Sequence, residues 1–310
     1  METKEKNFIS AVVYVHNSGD QVADFLRMLI GVLGEMFANY EIIAVDDAST
    51  DESAEVIKRV SAETTSCSMS IVRMSRFHGV EMSVNAGVDL AIGDMVFEFD
   101  SVYPDYPPEM IKAAYTRLLE GYDMVSVSPD THRNLLSGLF YKIFEHYSDI
   151  QMQTESFRVV SRRLINRVTS VNAVVPYRKV AYQASGFRSD RIIYTPAGGG
   201  KRSRGRTERR FRRKLAVDSL ILYTEFGYRV ARTMTITMML ISLFMIVYAV
   251  VVYLAAKPIE GWTTTVLFLS VVFFGLFAIL TVIVRYLRLL VDLMFKRKYY
   301  TVGSIEKLTR

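Results

Sequence analysis

Residues 40–53 read "YEIIAVDDASTDES": an apolar run without alternation, then two adjacent acids, Asp46 and Asp47, then turn formers and an acidic stretch. A continuous apolar run of this length is the pattern of a strand buried on both faces, and such strands belong to parallel sheets covered by helices. The acids then fall at the strand's carboxyl end. Ser49 or Thr50 stands where a side chain can cap the helix expected over "DESAEVIKRVSAE".

The flanks repeat the pattern. "FISAVVYVHN" (residues 8–17) is a first strand and "QVADFLRMLIGVLGEMF" (21–37) a helix with apolar residues at helical spacing. "SMSIVRMS" (68–75) is a third strand, "GVEMSVNAGVDLAI" (79–92) a helix, and "DMVFEFD" (94–100) a fourth strand. Strands alternating with helices predict an α/β domain, a mostly parallel sheet with helices on both faces. Ligands of such sheets bind beyond the carboxyl ends of the strands. The polar residues collect there: His16 and Asn17 after the first strand, Asp46 and Asp47 after the second, Arg76 and His78 after the third, Asp100 after the fourth. The first strand is not followed by Gly-x-Gly-x-x-Gly, which disfavours a dinucleotide-dependent oxidoreductase. Strand-end acids instead suit hydrogen bonds to a nucleoside.

Half of the 310 residues are apolar, and the excess is local. No residue is charged from Thr233 to Ala256, nor from Trp262 to Val284, and each run exceeds the roughly 20 residues that a helix needs to cross a bilayer. Arg229 and Arg232 precede the first run, and Arg285, Arg288, Lys296, Arg297 and Lys298 follow the second, while the loop between holds only Lys257 and Glu260. The positive-inside bias therefore predicts both termini in the cytoplasm. Cys67, the single cysteine, excludes an intrachain disulfide and fits a reducing compartment. The net charge of +6 is concentrated in "GKRSRGRTERRFRRKLA", Gly200 to Ala216. Beside a membrane span such a run suits anionic lipid or a phosphorylated ligand, or simply a solvated face. A nucleic-acid partner is not expected, because aromatic stacking residues are not interleaved with the charges.

"EIIAVDDASTDES" resembles the nucleotide-binding segment of family 2 glycosyltransferases, and "SRFHGVEMSVNAGVDLAIGDMVFEFD" is similar to the segment that follows it, including Asn85-x-Gly87 and Gly93-Asp94. "PPEMI" matches the turn after that family's metal-binding acids, and "LFYKIFEHYSDIQMQTESFRVVSRRLINRV" resembles the acceptor-side helix and Phe-Arg loop of dolichyl-phosphate-mannose-synthase-like enzymes. With two spans after it, the whole looks like a polyprenyl-phosphate glycosyltransferase. The resemblance implies a GT-A fold over residues 1–200, a basic loop and amphipathic juxtamembrane helix over 201–232, two transmembrane helices over 233–290 and a cytoplasmic basic tail over 291–310. It implies a multi-pass protein of the cell inner membrane. Relatives of that architecture often assemble through their spans, so the expected partners are a nucleotide diphosphate sugar, polyprenyl phosphate, membrane lipid and a second copy of the chain.

Residue by residue, the resemblance implies that Asp46 and Asp47 recognise the nucleoside, with His16, Asn17 and Arg76 beside them. Asp100 matches the first acid of the family's Asp-x-Asp and would hold Mg2+ or Mn2+ on the diphosphate. Arg158 matches the Arg of Phe-Arg and, together with Lys201, Arg202, Arg204 and Arg206 of the basic loop, would grip the phosphates. Two positions depart from the family: Val102 stands where the second metal acid is expected and Ser156 where an acid precedes Phe-Arg. One carboxylate plus substrate phosphates can hold magnesium, with Glu98 and Asp105 as nearby helpers. Transfer to a sugar hydroxyl needs a general base, for which Glu155 is the nearest candidate. A polyprenyl phosphate, already ionised, needs little or none. Three readings follow: inverting transfer to polyprenyl phosphate, transfer to a lipid-linked saccharide hydroxyl, and a non-catalytic scaffold of the same fold.

Overall fold

The strand expected within residues 40–53 forms as β2 (Tyr40–Asp46), and it lies between two parallel neighbours, β1 (Ile9–Val15) and β3 (Ser68–Met74). These come from a computed structural model that describes residues 4–64, 67–130, 155–171, 178–196 and 300–309, together with separate helical positions between 233 and 290. A fourth parallel strand, β4 (Met95–Phe99), pairs with the other side of β1. Beyond β4 the direction changes. β6 (Phe157–Ser161) is inserted antiparallel between β4 and β5 (Met124–Pro129), and β7 (Ser189–Tyr194) runs parallel to β5 at that edge. At the opposite edge β8 (Val302–Lys307) pairs antiparallel with β3, giving the order β7-β5-β6-β4-β1-β2-β3-β8.

Helices cover both faces. α1 (Val22–Met36), α2 (Ser53–Ala62) and α4 (Glu109–Leu119) bury their apolar stripes on one face, with Phe25, Ile57 and Ile111 in that core. α3 (Val80–Leu90), α5 (Arg162–Val171) and α6 (Arg178–Ala184) cover the other, with Val84, Leu164 and Tyr182 in theirs. Successive strand residues point to opposite faces. Phe97 and Phe99 of β4 therefore enter the first core, while Val96 enters the second and carries Glu98 and Asp100 onto the same side.

Two family-like glycines serve this packing. A Cβ on Gly87 would lie 2.4 Å from Val12 and 2.8 Å from Val45, so its absence lets α3 sit directly on β1 and β2. At the turn into β4, a Cβ on Gly93 would lie 2.5 Å from the backbone nitrogen of Ser10, and the Gly93 N–H donates to Ser10 Oγ at 2.8 Å.

The cap expected for α2 is different. Ser49 Oγ accepts from the Asn17 backbone N–H at 3.0 Å, which ties the β1 and β2 loops together. Asp51 Oδ1 takes the Ser53 N–H at 3.1 Å in its place, because a carboxylate just ahead of the first turn reaches an orphan donor as well as a hydroxyl does.

Residues 302–307, expected within a basic tail, form β8. Thr301 N donates to His78 Nε2 at 3.2 Å, and Lys58 Nζ lies 2.6 Å from Glu306. Residues 217–296, with 146–148, form a second compact unit. Among the described residues no helix is long and apolar enough to cross a membrane, and most of the two expected spans lies outside those residues. The expected juxtamembrane segment at 201–232, and with it Lys201, Arg202, Arg204 and Arg206, lies outside them as well.

Candidate active site

Two groups of acids stand at the carboxyl ends of the central strands. At the end of β2, the Asp47 carboxylate is buried against N–H donors: Oδ1 accepts from the His78 backbone at 2.8 Å, and Oδ2 from the Gly79 backbone at 2.7 Å and the Tyr14 hydroxyl at 3.1 Å. It therefore fixes the start of α3. Asp46, equally buried, accepts the Ser49 N–H at 3.0 Å and faces Arg73 at 3.7 Å. His16 Nδ1 donates to the Asp47 carbonyl at 2.7 Å, and its ring lies against Phe77 at 4.8 Å. Asn17 Oδ1 takes the Thr50 N–H at 2.8 Å. Asn17 and Ala48 have φ of 46° and 52°, a conformation that costs a non-glycine residue energy and is retained where the surroundings fix it. Arg76 is exposed nearby, its carbonyl accepting from His78 Nδ1 at 2.5 Å. These five expected nucleoside residues are thus brought together, but the two acids turn their oxygens toward the protein.

The second group lies on the other side of β1. Glu98 of β4 is in register with Arg158 of β6, on the same face, so the antiparallel pairing sets the two side chains opposite each other. Arg158 is fully buried and each of its nitrogens has a carboxylate: Nε donates to Glu155 at 2.9 Å, Nη1 to Glu98 at 3.0 Å and Nη2 to Asp100 at 3.3 Å. Glu98 also accepts from Arg178 Nη2 at 2.7 Å and from the Tyr182 hydroxyl at 2.9 Å. Asp100 Oδ2 lies 3.0 Å from Lys179 Nζ, and Glu81 Oε2 receives the Arg178 backbone N–H at 3.2 Å.

Four carboxylates (Glu81, Glu98, Asp100, Glu155) thus surround three cations (Arg158, Arg178, Lys179). Burial works to raise the Asp100 carboxyl, but Lys179 and Arg158 outweigh it and hold the group below the ordinary carboxylate range. Glu81 goes the other way: burial dominates and pushes its carboxyl up.

Asp105 has partners of its own. Its Oδ1 accepts from the Tyr194 hydroxyl, and from Ser156 Oγ at 3.3 Å. Val102, at the position expected for a second metal acid, is 1% exposed in the first apolar core. Expected as a phosphate ligand, Arg158 instead has its guanidinium enclosed by carboxylates. Glu155, the candidate base, is held by Arg158.

The sequence profile described as Glycosyl transferase family 2 matches residues 10–168, just over half of the chain, from the first residues of β1 into α5. The chain belongs to glycosyl transferase family 2. Among its relatives, an uncharacterized glycosyltransferase of Synechocystis sp. is 26% identical over 60% of this chain and 60% of its own length. The uncharacterized glycosyltransferase YkcC of Bacillus subtilis is 24% identical over 94% of this chain and 92% of its own. The undecaprenyl-phosphate 4-deoxy-4-formamido-L-arabinose transferase of Edwardsiella ictaluri is 33% identical over 39% of this chain and 37% of its own. The chain therefore spans less than two thirds of the first of these proteins and well under half of the third. Glucosyl-3-phosphoglycerate synthase of Mycobacterium tuberculosis, in complex with phosphoglyceric acid, shares the fold with a TM-score of 0.51 at 13% identity, over 70% of this chain and 80% of that one. Another structure of that enzyme contains Mn2+ and uridine diphosphate.

The family resemblance in the sequence implies a metal on Asp100. A magnesium-sized ion wants oxygen ligands in near-octahedral geometry, commonly one or two carboxylates completed by phosphates and water. The residues as placed do not fit one. Both Asp100 oxygens already lie on cations, Val102 offers no ligand, and Asp105 is turned to Tyr194. Among the described residues no three His, Cys, Asp or Glu side chains converge to hold an ion.

Sequence reasoning passed over Glu81, Arg178, Lys179 and Tyr182. Arg178 and Lys179 lie beyond the segment that matches the family. The available signal was local: a basic pair directly before the apolar "VAY" of a short helix, and one acid on the buried face of α3.

Proposed function

We propose that this family 2 protein is an inverting glycosyltransferase that moves a sugar from a nucleotide diphosphate sugar to a polyprenyl phosphate at the cytoplasmic face of a membrane. The carrying observation is the state of Glu155: it is the candidate base nearest Phe157-Arg158 in sequence, and it accepts from Arg158 Nε at 2.9 Å with its side chain 4% exposed. A carboxylate tied in this way is poorly placed to take a proton from a sugar hydroxyl. A phosphate monoester, whose second pKa is about 6, needs no such help. Its oxygen attacks the anomeric carbon and forms the new C–O bond. The bond from that carbon to the nucleoside diphosphate breaks, and its electron pair stays on the departing phosphate oxygen. The partial likeness to a transferase named for undecaprenyl phosphate supports the same acceptor.

In this reading the loops held by Asp46 and Asp47, with His16, Asn17 and Arg76 along them, form the nucleoside end, and Asp100 marks the diphosphate end. Arg158 and Glu98 position Asp100 from beneath. The basic residues Lys201 to Arg206 join the phosphates from the segment that follows. No step is assigned to a metal.

The membrane assignment rests on the two uncharged runs and on topology. β8 follows those runs in the chain yet pairs with β3, which precedes them, so any crossing of a membrane between residues 196 and 300 must be made an even number of times. Two spans satisfy this. Leu269, Leu276, Leu280, Ile283, Leu287 and Leu290 are helical, recur at the spacing of one helix face and are 43–55% exposed, as side chains turned to lipid would be. Gly275 is buried so closely against Met238 that a Cβ would come within 2.6 Å, the small-residue packing that spans use.

The test is nucleoside diphosphate release by the purified full-length chain from a panel of nucleotide sugars, with and without undecaprenyl phosphate. Release that needs one donor and the lipid phosphate supports the reading. Release with a lipid-linked saccharide but not with the lipid phosphate would replace the acceptor. Nucleotide binding without release under any condition would leave a scaffold.

A further inference from the structure

Building on the transferase reading, we propose that Lys179 is the resident cation of the donor site: its ammonium, seated on Asp100, binds the diphosphate of the nucleotide sugar and stabilises the leaving phosphate.

Position comes first. Lys179 Nζ is 3.0 Å from Asp100 Oδ2 and 4.0 Å from Glu155 Oε2, so it occupies the carboxylate to which the family resemblance assigns a metal ion. The second carboxylate that would complete such an ion site is replaced by Val102, which is sealed in the apolar core on the far face of the sheet. Asp100 therefore has a fixed positive charge beside it, and Val102 offers no second acid to compete for that charge.

Access separates Lys179 from its neighbours. The side chains of Arg158 and Arg178 are 0% and 3% exposed, whereas those of Lys179 and Asp100 are 11% and 18% exposed. The two arginines are enclosed. The Lys179–Asp100 pair is the part of the cluster that a ligand arriving at the carboxyl ends of the strands can reach.

The chemistry suits an ammonium. Lysine presents a compact charge with three N–H donors, enough to bridge a carboxylate and a phosphate at once. During transfer the anomeric C–O bond to the diphosphate breaks and negative charge grows on the phosphate oxygen that keeps the electron pair. A preorganised cation there stabilises the transition state more than the bound donor, the condition for catalysis. Lys179 keeps its proton throughout, and no other reactant is needed. Asp100 serves to hold the ammonium in place.

The experiment is calorimetric titration of UDP, GDP, CDP and ADP into the full-length protein, in EDTA and then in Mn2+, for wild type, Lys179→Arg and Lys179→Met, with thermal melts to confirm that each variant is folded. The proposal expects wild type to bind one nucleotide in EDTA within about threefold of its affinity in Mn2+. It expects Lys179→Met to lose about tenfold or more, the scale of one charge-assisted phosphate contact, and Lys179→Arg to keep most of the affinity. Paramagnetic resonance of Mn2+ should show the free-ion signal undiminished by protein with saturating nucleotide. Binding by wild type only when Mn2+ is present, or a folded Lys179→Met that binds as wild type does, overturns the role of the lysine and leaves the transferase reading standing. No binding of any nucleotide by wild type in either medium removes the transferase reading, and this proposal with it.

Discussion

The acids after β2 and the acids around β4 look alike in the sequence, a carboxylate where a buried strand ends, yet the protein answers their charge in opposite ways. Asp47 is met by backbone N–H groups and a tyrosine hydroxyl, so its charge is spent on fixing the start of α3. Glu98, Asp100 and Glu155 are met by Arg158, Arg178 and Lys179. A carboxylate held by backbone is part of the scaffold. One held by a side-chain cation near solvent can exchange that partner for a ligand, and on the proposed reading the chemistry lies at β4.

The largest effect should come from Arg158→Met. It leaves the buried Glu98 and Glu155 and the partly exposed Asp100 without their common cation, and breaking a buried pair costs about 3–5 kcal/mol. Urea unfolding should show that loss, and an unchanged midpoint would mean that the network is not formed as described. Next, Asp47→Asn exchanges one of the accepting oxygens for an amide donor facing an N–H; a loss of about 1.5–3 kcal/mol is expected, the worth of hydrogen bonds to a charged group. A stable Asp47→Asn variant with abolished turnover would reverse the comparison and place the chemistry at β2.

Glu81 sharpens the contrast through pH. Its folded-state carboxyl is raised by burial, so ionisation of Glu81 works against the fold: its contribution is most favourable below the ordinary glutamate value of about 4.3 and declines as pH rises through the folded-state value. Glu81→Gln should therefore be at least as stable as wild type at neutral pH, with the difference shrinking on acidification. A neutral-pH loss of stability in the variant would show that the ionised acid is needed as a fourth partner for the cations. Asp100 has the opposite sign, since its lowered carboxyl lends stability above about 3.9 that is lost as pH falls through its folded-state value. The smallest effect belongs to the Lys58–Glu306 pair, which is well exposed on both sides. Glu306→Gln should leave the melting temperature unchanged within error, because exposed ion pairs contribute little.

The parallel centre of the sheet was legible because β1 to β4 are short, largely apolar runs between amphipathic helices. The antiparallel β6 was not: "FRVVS" alone carries no sign of direction, which is set by the pairing of Glu98 with Arg158. β8 was hidden for a related reason. "VGSIEK" is an exposed edge strand with few apolar residues, and its place depends on the free edge of β3, more than two hundred residues away. At the site, the acids could be read because strand ends concentrate function. Their partners could not, since whether an Asp accepts from a backbone N–H or a lysine is settled by tertiary packing. Val102 was readable as a missing acid, whereas the Lys179 ammonium beside Asp100 was not.

The most direct test compares nucleoside diphosphate release by wild type and Asp100→Asn, each with its active donor and undecaprenyl phosphate, at a temperature where melts show both folded. Turnover should fall on the order of 10²-fold or more in Asp100→Asn, the scale of losing one preorganised electrostatic contact, while its melting temperature stays close to that of wild type. A folded Asp100→Asn that turns over at the wild-type rate would contradict the assignment of the chemistry to the end of β4.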